Sequence, residues 1–338
     1  MYMFKYVSKR LGLMLLTFSI IFTMCFVLIK LLPIPTTALP GQDPEIVMKT
    51  LEGRGWITNI KEGSNGVWTY DRVPIMLQFG TYIKRIVTDL DFGIATTYGE
   101  YLNMNLWKVF VNHLPPTILI NIYSTLIGVP IGLALGIIAA LKKNKWQDHV
   151  ISTAVMVFVS VPSYVYAFLV QYFMCFKWQL FPFQMKAGYD YLSWETFVSL
   201  VPAILSLGFG TIAGLTRYVR AELTEVLTSD YLLLARTKGL SRAQTTVRHA
   251  LRNAMVPVFP MILGEFIGIM SGSLIIEGIF GIPGVGPLYV GAVGTTPADY
   301  YFFMLLTAFY TIIGLASGIV VDLSYGFIDP RIRMGSKK

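Results

Sequence analysis

Few residues of this chain have the type and spacing that chemistry needs. Its three histidines, His113, His149 and His249, fall on different segments. Its two cysteines, Cys25 and Cys175, each lie inside an apolar run. Neither set offers a zinc site, a disulfide framework or a nucleophile beside its base. No G-x-x-x-x-G-K-[ST] run is present to cradle a nucleotide phosphate, and no H-E-x-x-H or G-x-S-x-G occurs. Covalent chemistry and a bound cofactor or metal are therefore not expected, and power for any work must come from another polypeptide. Glu265 is a separate case, because it lies inside a long apolar run. An ionisable group there is expensive and faces a cavity or a polar partner. It reads either as a polar wall of a solute path or as a hydrogen bond to a neighbouring helix or subunit. Asn121 and Gln171, in other apolar runs, are lesser cases of the same choice.

A second group can do binding rather than catalysis. In Asp230-Tyr-Leu-Leu-Leu-Ala-Arg-Thr-Lys-Gly-Leu-Ser-Arg-Ala-Gln244, Ser229 or Asp230 can cap a short helix. Lys238 complements the C-terminal dipole of that helix, and Gly239 suits the left-handed position just past its end. Ser241 with Gln244 makes an S-x-x-Q capping box that starts a second helix carrying Arg242, Arg248, His249 and Arg252. The result is helix, glycine turn, helix, with a Leu-Leu-Leu-Ala face (Leu232, Leu233, Leu234 and Ala235), and Leu240 beyond the turn, that is expected to be exposed and that a docking protein can cover. Helix-turn-helix plus basic charge also describes a DNA reader, but apolar spans attach directly on both sides, so no nucleic acid is expected. A plain basic loop remains the bland alternative.

The elements that position these residues are read from composition. Of 338 residues, 54% are hydrophobic and only 14% charged, with net charge +8. Six apolar stretches are long enough to cross a bilayer: Leu11–Leu32, Thr117–Leu141, Val150–Phe176, Phe197–Leu215, Val256–Ile276 and Tyr301–Val321. The fold class is therefore an all-α membrane protein of about six transmembrane helices. Lys30, at the outer end of the first, is expected to snorkel to water. Lys and Arg collect in the N-terminal tail, the 142–149 turn, the 217–252 segment and the tail after Asp329, while 277–300 holds none. That asymmetry places both termini in the cytoplasm. The first run is long and shows no cleavage site, so it reads as a retained helix. The organisation follows: residues 1–33 as N-tail and first helix, 34–116 as a small extracytoplasmic insertion, 117–322 as a five-helix core with a cytoplasmic loop 217–255, and 323–338 as cytoplasmic tail. The insertion is too long for a plain loop, and Trp56, Trp68, Phe79, Phe92 and Trp107 suggest a small folded cap.

Two glycine patterns complete the reading. Gly128, Gly132 and Gly136 make a small-residue stripe for close helix packing. The Ile-Pro-Gly-Val-Gly-Pro run (282–287), with Pro283, Gly284 and Gly286, is stiff and reads as a re-entrant plug or gate or as a tight turn; a gate-lining role is favoured because Phe280 and Ile282 must otherwise be exposed.

Ala-Arg-Thr-Lys-Gly-Leu-Ser (235–241), then His-Ala-Leu-Arg-Asn-Ala (249–254) and Pro257, resembles the loop shared by permease subunits of binding-protein-dependent ABC importers. It is most similar to the oligopeptide/dipeptide/nickel branch. The broader motif begins Glu-Ala-Ala where Leu233, Leu234 and Ala235 stand, and has proline at Arg252. Lys-Arg-Leu (9–11), Leu-Leu-Pro (31–33), Asp-Leu-Asp-Phe-Gly (89–93), Leu-Pro-Pro-Thr (114–117), Val-Pro-Ser-Tyr (161–164), Phe-Pro (181–182), Glu-Gly-Ile-Phe-Gly-Ile-Pro-Gly-Val-Gly (277–286) and Asp-Pro-Arg-Ile-Arg (329–333) resemble further landmarks of that branch, in order, and favour its B-type subunit. Residues 34–70 match nothing in it. The resemblance implies the type I ABC importer permease fold and a pore half that moves peptides. It implies a second homologous permease, two cytoplasmic ATP-binding subunits and an extracytoplasmic substrate-binding protein as partners. Asp230, Ala235, Lys238, Gly239, Leu240 and Ser241 then form the ATPase-coupling loop. Nickel or another small solute is the alternative substrate. An ion-coupled secondary transporter, or a membrane scaffold or receptor, is the alternative class.

Overall fold

The computed structural model describes residues 2–32, 43–63, 68–186, 190–295 and 298–328. Pro33 and the first part of the insertion, and the Asp329–Arg333 landmark with the tail beyond it, lie outside the described residues.

Five helices are long and apolar enough to span a membrane: α1 (Tyr2–Leu31), α4 (Leu106–Leu141), α7 (Trp194–Leu227), α9 (Arg242–Gly268) and α12 (Tyr300–Ile328). A sixth span is bent: α5 (Trp146–Ser160) and α6 (Ser163–Lys177) meet at 104°. Between α1 and α4 stand α2 (Pro44–Gly53), the hairpin β1 (Ile57–Glu62) and β2 (Trp68–Arg72), and α3 (Ile75–Asp89). The remaining short helices are α8 (Asp230–Thr237), α10 (Ile276–Ile279) and α11 (Val285–Gly294).

Several spans differ from the expectation, and the fourth does so by running on to Leu227 rather than ending at Leu215. The second begins at Leu106 rather than Thr117 and runs through Pro115 and Pro116. The buried Val109 and Phe110 hold that first part in place, so packing outweighs the lost proline donors. The third is not one rod, because Pro162 removes a donor and its predecessor Val161 is extended (φ −87°, ψ 128°). The fifth is displaced toward the N-terminus, as Arg242–Gly268 rather than Val256–Ile276. An apolar run does not by itself make a helix, and Gly272 at φ +63° turns the chain before Ile276.

The packing falls into two units. One holds His113–Pro287 with both chain ends, and the other Leu11–Asn112 with Leu288–Ile312. In the first, the glycine stripe does what its spacing predicts. A methyl at Gly132 would stand 3.0 Å from Leu215 Cβ and one at Gly136 2.7 Å from Val219 Cβ, so α4 and α7 touch backbone to backbone. Val129, Leu215, Val219 and Val258 close one core cluster there, and Ala140, Leu223, Leu232, Ala250 and Ala254 another.

In the second unit, the insertion is a small mixed cap with Met48, Leu51, Trp56, Ile57 and Tyr82 buried. Its hairpin is antiparallel, with Ile57 opposite Arg72 and Glu62 opposite Trp68. Phe22 and Phe26 of α1 stack on Tyr82. Lys30 does not snorkel: it is 8% exposed, with Nζ 2.9 Å from the centroid of the Trp56 ring and with Phe26 and Tyr301 beside it. The ring faces supply the electrostatic partner that water was expected to provide. The Asp299 carboxylate accepts from the backbone N–H groups of Thr96 and Thr97 and, at the start of α12, from Phe302.

Candidate functional site

The turn between α8 and α9 is built locally. Ser229 stands at the N-cap of α8, although its side chain makes no capping bond, and Asp230 opens the first turn. Lys238 ends the helix and Gly239 follows at φ +89°, with nothing within 4 Å of where a Cβ would sit. The turn thus needs glycine for its backbone, not for room. Ser241 accepts from the Gln244 N–H at 3.2 Å while Gln244 Oε1 accepts from the Ser241 N–H at 3.0 Å, a complete capping box. Of the three leucines, Leu232 is buried against the bundle, while Leu233 and Leu234 are 56% and 57% exposed. Ala235 and Leu240 are half-buried. The turn is thus ordered, with Leu233 and Leu234 uncovered.

Arg220 near the end of α7 pairs with Asp148 in the first turn of α5, Nε to Oδ1 at 2.5 Å and Nη2 to Oδ2 at 2.8 Å. Asp148 also accepts from the Asn144 N–H and the Ser152 hydroxyl, and only 1% of it is exposed. This fork ties the 142–145 turn to α7. Sequence reading passed over it because the two residues are distant along the chain.

Glu265 stands on the wall of a cavity of about 520 Å³, with Asn121, Ser124, Thr125, Thr211 and Ser317 among the other lining residues. Glu265 Oε2 accepts from the Thr211 hydroxyl at 3.2 Å, and no cation pairs with it among the described residues. Asn121 is brought to the same cavity, its amide donating to the Thr117 carbonyl. Gln171 is not: it is buried, and its amide donates to the carbonyl of Ile279 at 2.6 Å. It pins the loop after α9 instead of facing the cavity.

That loop has an organiser the sequence reading did not single out. Glu277 is fully buried and accepts from the Ser273 N–H (3.0 Å), the Gly286 N–H (2.9 Å) and the Thr117 hydroxyl (3.1 Å). Thr117 in turn accepts from the Val285 N–H at 2.8 Å. A methyl at Gly284 would overlap both Glu277 and Thr117, and one at Gly286 the Ser273 carbonyl. Burial pushes the Glu277 carboxyl up from the usual carboxylate range, and its three donors pull it back. Phe280 and Ile282, which had to be covered, are buried in one cluster with Ile120, Leu200 and Ile204. Pro283 lies between them and the two close-packed glycines. The signal available in the sequence was an acid amid glycines just past a span.

No group of histidine, cysteine and acid side chains that could hold a metal occurs among the described residues. Residues 132–334 match the profile of the family described as binding-protein-dependent transport system inner membrane component. The chain belongs to this family.

As a member, it is a multi-pass membrane component of a transport system with the permease fold, not an enzyme. The dipeptide transport system permease protein DppB of Lactococcus lactis is 32% identical over 98% of this permease and all of the relative. DppB of Bacillus subtilis is 32% identical over 99% and all of the relative. The oligopeptide transport system permease protein OppB of Haemophilus influenzae is 29% identical, over 98% of the permease and its own full length. A solved methionine ABC transporter, MetNI, is similar over 64% of the permease and 97% of its own chain, at 18% identity and TM-score 0.48. The α8–α9 turn, Glu265 and Glu277 all fall inside the family match, and Thr117 and Asn121 precede it.

Proposed function

We propose that this permease is the pore-forming half of an ATP-driven importer that carries peptides across the cytoplasmic membrane, with both termini inside. What supports the mechanism is the α8–α9 turn, which is ordered and leaves Leu233 and Leu234 uncovered; the proposed orientation puts it in the cytoplasm. The near full-length likeness to dipeptide and oligopeptide permeases supports the substrate class. Residues 217–255 form the coupling loop, in which Asp230, Ala235, Lys238, Gly239, Leu240 and Ser241 shape the seat for an ATP-binding subunit. Two such subunits hydrolyse ATP. A second homologous permease completes the pore, and an extracytoplasmic binding protein delivers substrate to the side bearing the 34–116 insertion. When the ATPases close, the coupling turns move and the spans rock between two states. Glu265 and Asn121 wall the path, and Phe280, Pro283, Gly284 and Gly286 stiffen its outer loop, which Gln171 pins.

The test is uptake of a labelled dipeptide by cells expressing this chain with its partner subunits. Gly239→Val costs on the order of 1–2 kcal/mol at the turn, too little to unfold the bundle and enough to displace a docked surface. Uptake should fall sharply while membrane abundance holds, with the ATPases detached or hydrolysing without transport. Gly239→Ala should be milder, and Leu240→Asp should mimic the defect. Intact uptake in both Gly239→Val and Leu240→Asp would remove the coupling reading. Uptake of nickel ion but not of peptide would remove the substrate.

A further inference from the structure

A cavity of about 710 Å³ lies beside the α8–α9 turn, and much of its wall belongs to the proposed coupling loop 217–255, yet its own contents have been given no role so far. Five of its lining residues are basic: Lys142, Lys143 and Lys145 on the turn after α4, Arg236 on α8 and Arg242 at the start of α9. No acid lines it. None of the five is in an ion pair among the described residues, and the acid in the adjoining turn, Asp148, is already held by Arg220. Thr224 on the same wall has a buried Oγ1 with no hydrogen-bond partner among the described residues.

A basic run that serves only to orient a membrane protein has no reason to converge. Here cations from three separate elements are brought round one cavity, where like charges raise each other's energy. An anion offsets that cost. The rest of the wall says which kind. Leu141 and Val247 line the cavity with 41% and 63% of their surface exposed, and Trp146, at the adjoining start of α5, is 71% exposed. An exposed indole with bare aliphatic side chains at the ends of spans is what the headgroup–acyl boundary selects. A free phosphate or a nucleotide has no use for that apolar wall, whereas a phospholipid places its phosphodiester on the cations and its chains along the aliphatic side. Basic pockets between spans on the cytoplasmic side take anionic headgroups for this reason.

We infer that this cavity is a binding site for the headgroup of an anionic phospholipid, held by Lys142, Lys143, Lys145, Arg236 and Arg242. The proposed orientation decides only that the inner leaflet supplies the lipid; binding itself does not depend on it. A lipid seated there contacts both the α4–α5 turn and the α8–α9 turn, so its presence would stiffen the coupling surface.

The experiment is native mass spectrometry of the full chain in mild detergent after delipidation, titrated with phosphatidylglycerol, phosphatidylcholine or inorganic phosphate. Phosphatidylglycerol should bind about tenfold more tightly than phosphatidylcholine. The double variant Lys143→Gln, Arg242→Gln should erase that preference while binding phosphatidylcholine as before. Lys143→Gln alone, on an exposed turn, should lower it in the same direction, which covers a double variant that fails to fold. Lys9→Gln, a base remote from this cavity in sequence, should leave it unchanged. The inference is overturned if the Lys143 variants keep the full preference or if Lys9→Gln lowers it equally. Inorganic phosphate competing at a concentration similar to that of the lipid would also overturn it, by making the site a free-phosphate site. An unchanged lipid preference in the Lys143 variants, with loss of the ATP-binding subunits when the same variants are purified as the whole complex, would overturn it too, by making the five bases a protein contact.

Discussion

Two carboxylates stand along the stretch from α9 to the loop after it, and their surroundings are opposite. Glu277 is enclosed, with three donors converging on it from α4, from the Ser273 turn and from the start of α11. Glu265 is half-buried on a cavity wall and has one partner, the Thr211 hydroxyl. A fully buried acid held by three donors is architecture, because solvent does not reach it and every bond it makes is to the elements packed around it. An acid with open acceptor positions on a polar cavity is available to something that passes. Charge alone does not separate the two roles; burial and the number of donors do.

The contrast can be broken by substitution. The largest effect belongs to Glu277→Ala, which leaves two buried N–H groups and a hydroxyl without their acceptor and should cost about 3 kcal/mol or more. Membrane abundance and the thermal midpoint should both drop, and a variant of ordinary stability would show that the Glu277 loop is not held as described. Thr117→Val keeps the shape and removes one hydroxyl that both donates to Glu277 and accepts from Val285. Its expected cost is about 1–3 kcal/mol, read in the same unfolding measurement. Glu265→Gln should move stability by no more than about 0.5 kcal/mol while changing uptake rate or peptide preference. Ordinary uptake with ordinary abundance would take Glu265 out of the path. The smallest effect on uptake is that of Thr211→Val, whose stability cost is about 0.5–1.5 kcal/mol at most. It should shift uptake in the same direction as Glu265→Gln, and a stability loss as large as that of Thr117→Val would erase the distinction between the two regions.

Much of this was legible in the sequence where the signal is local. The Ser241–Gln244 box, the positive φ at Gly239 and the stripe of Gly128, Gly132 and Gly136 follow from spacing within one or two turns. Six apolar runs were legible too, because length and composition decide them. Their ends were not. Hydropathy continues through Ile276, but Gly272 turns the chain first, and it is blind to the bend that Pro162 puts between α5 and α6. Lys30 was misread since its partners, the rings of Phe26, Trp56 and Tyr301, come from distant segments. The same holds for the Arg220–Asp148 fork. Glu277 was overlooked because the sequence reading weighed only acids inside apolar runs, and this one lies just beyond.

The glycine stripe has a mechanical consequence. Where Gly132 and Gly136 face Leu215 and Val219, neither α4 nor α7 can slide or roll past the other without driving a side chain into backbone. The pair is welded over that length, and the weld begins near Thr211, which stands against Gly128. From Thr211 to Val219 the rise is about 12 Å, and Arg220, the next residue, holds the α5 turn. A push delivered at the Arg220 end therefore has no soft joint along that length in which to dissipate. Under the proposed coupling, a tilt at that end reaches the hydroxyl that holds Glu265 as a displacement of the whole beam.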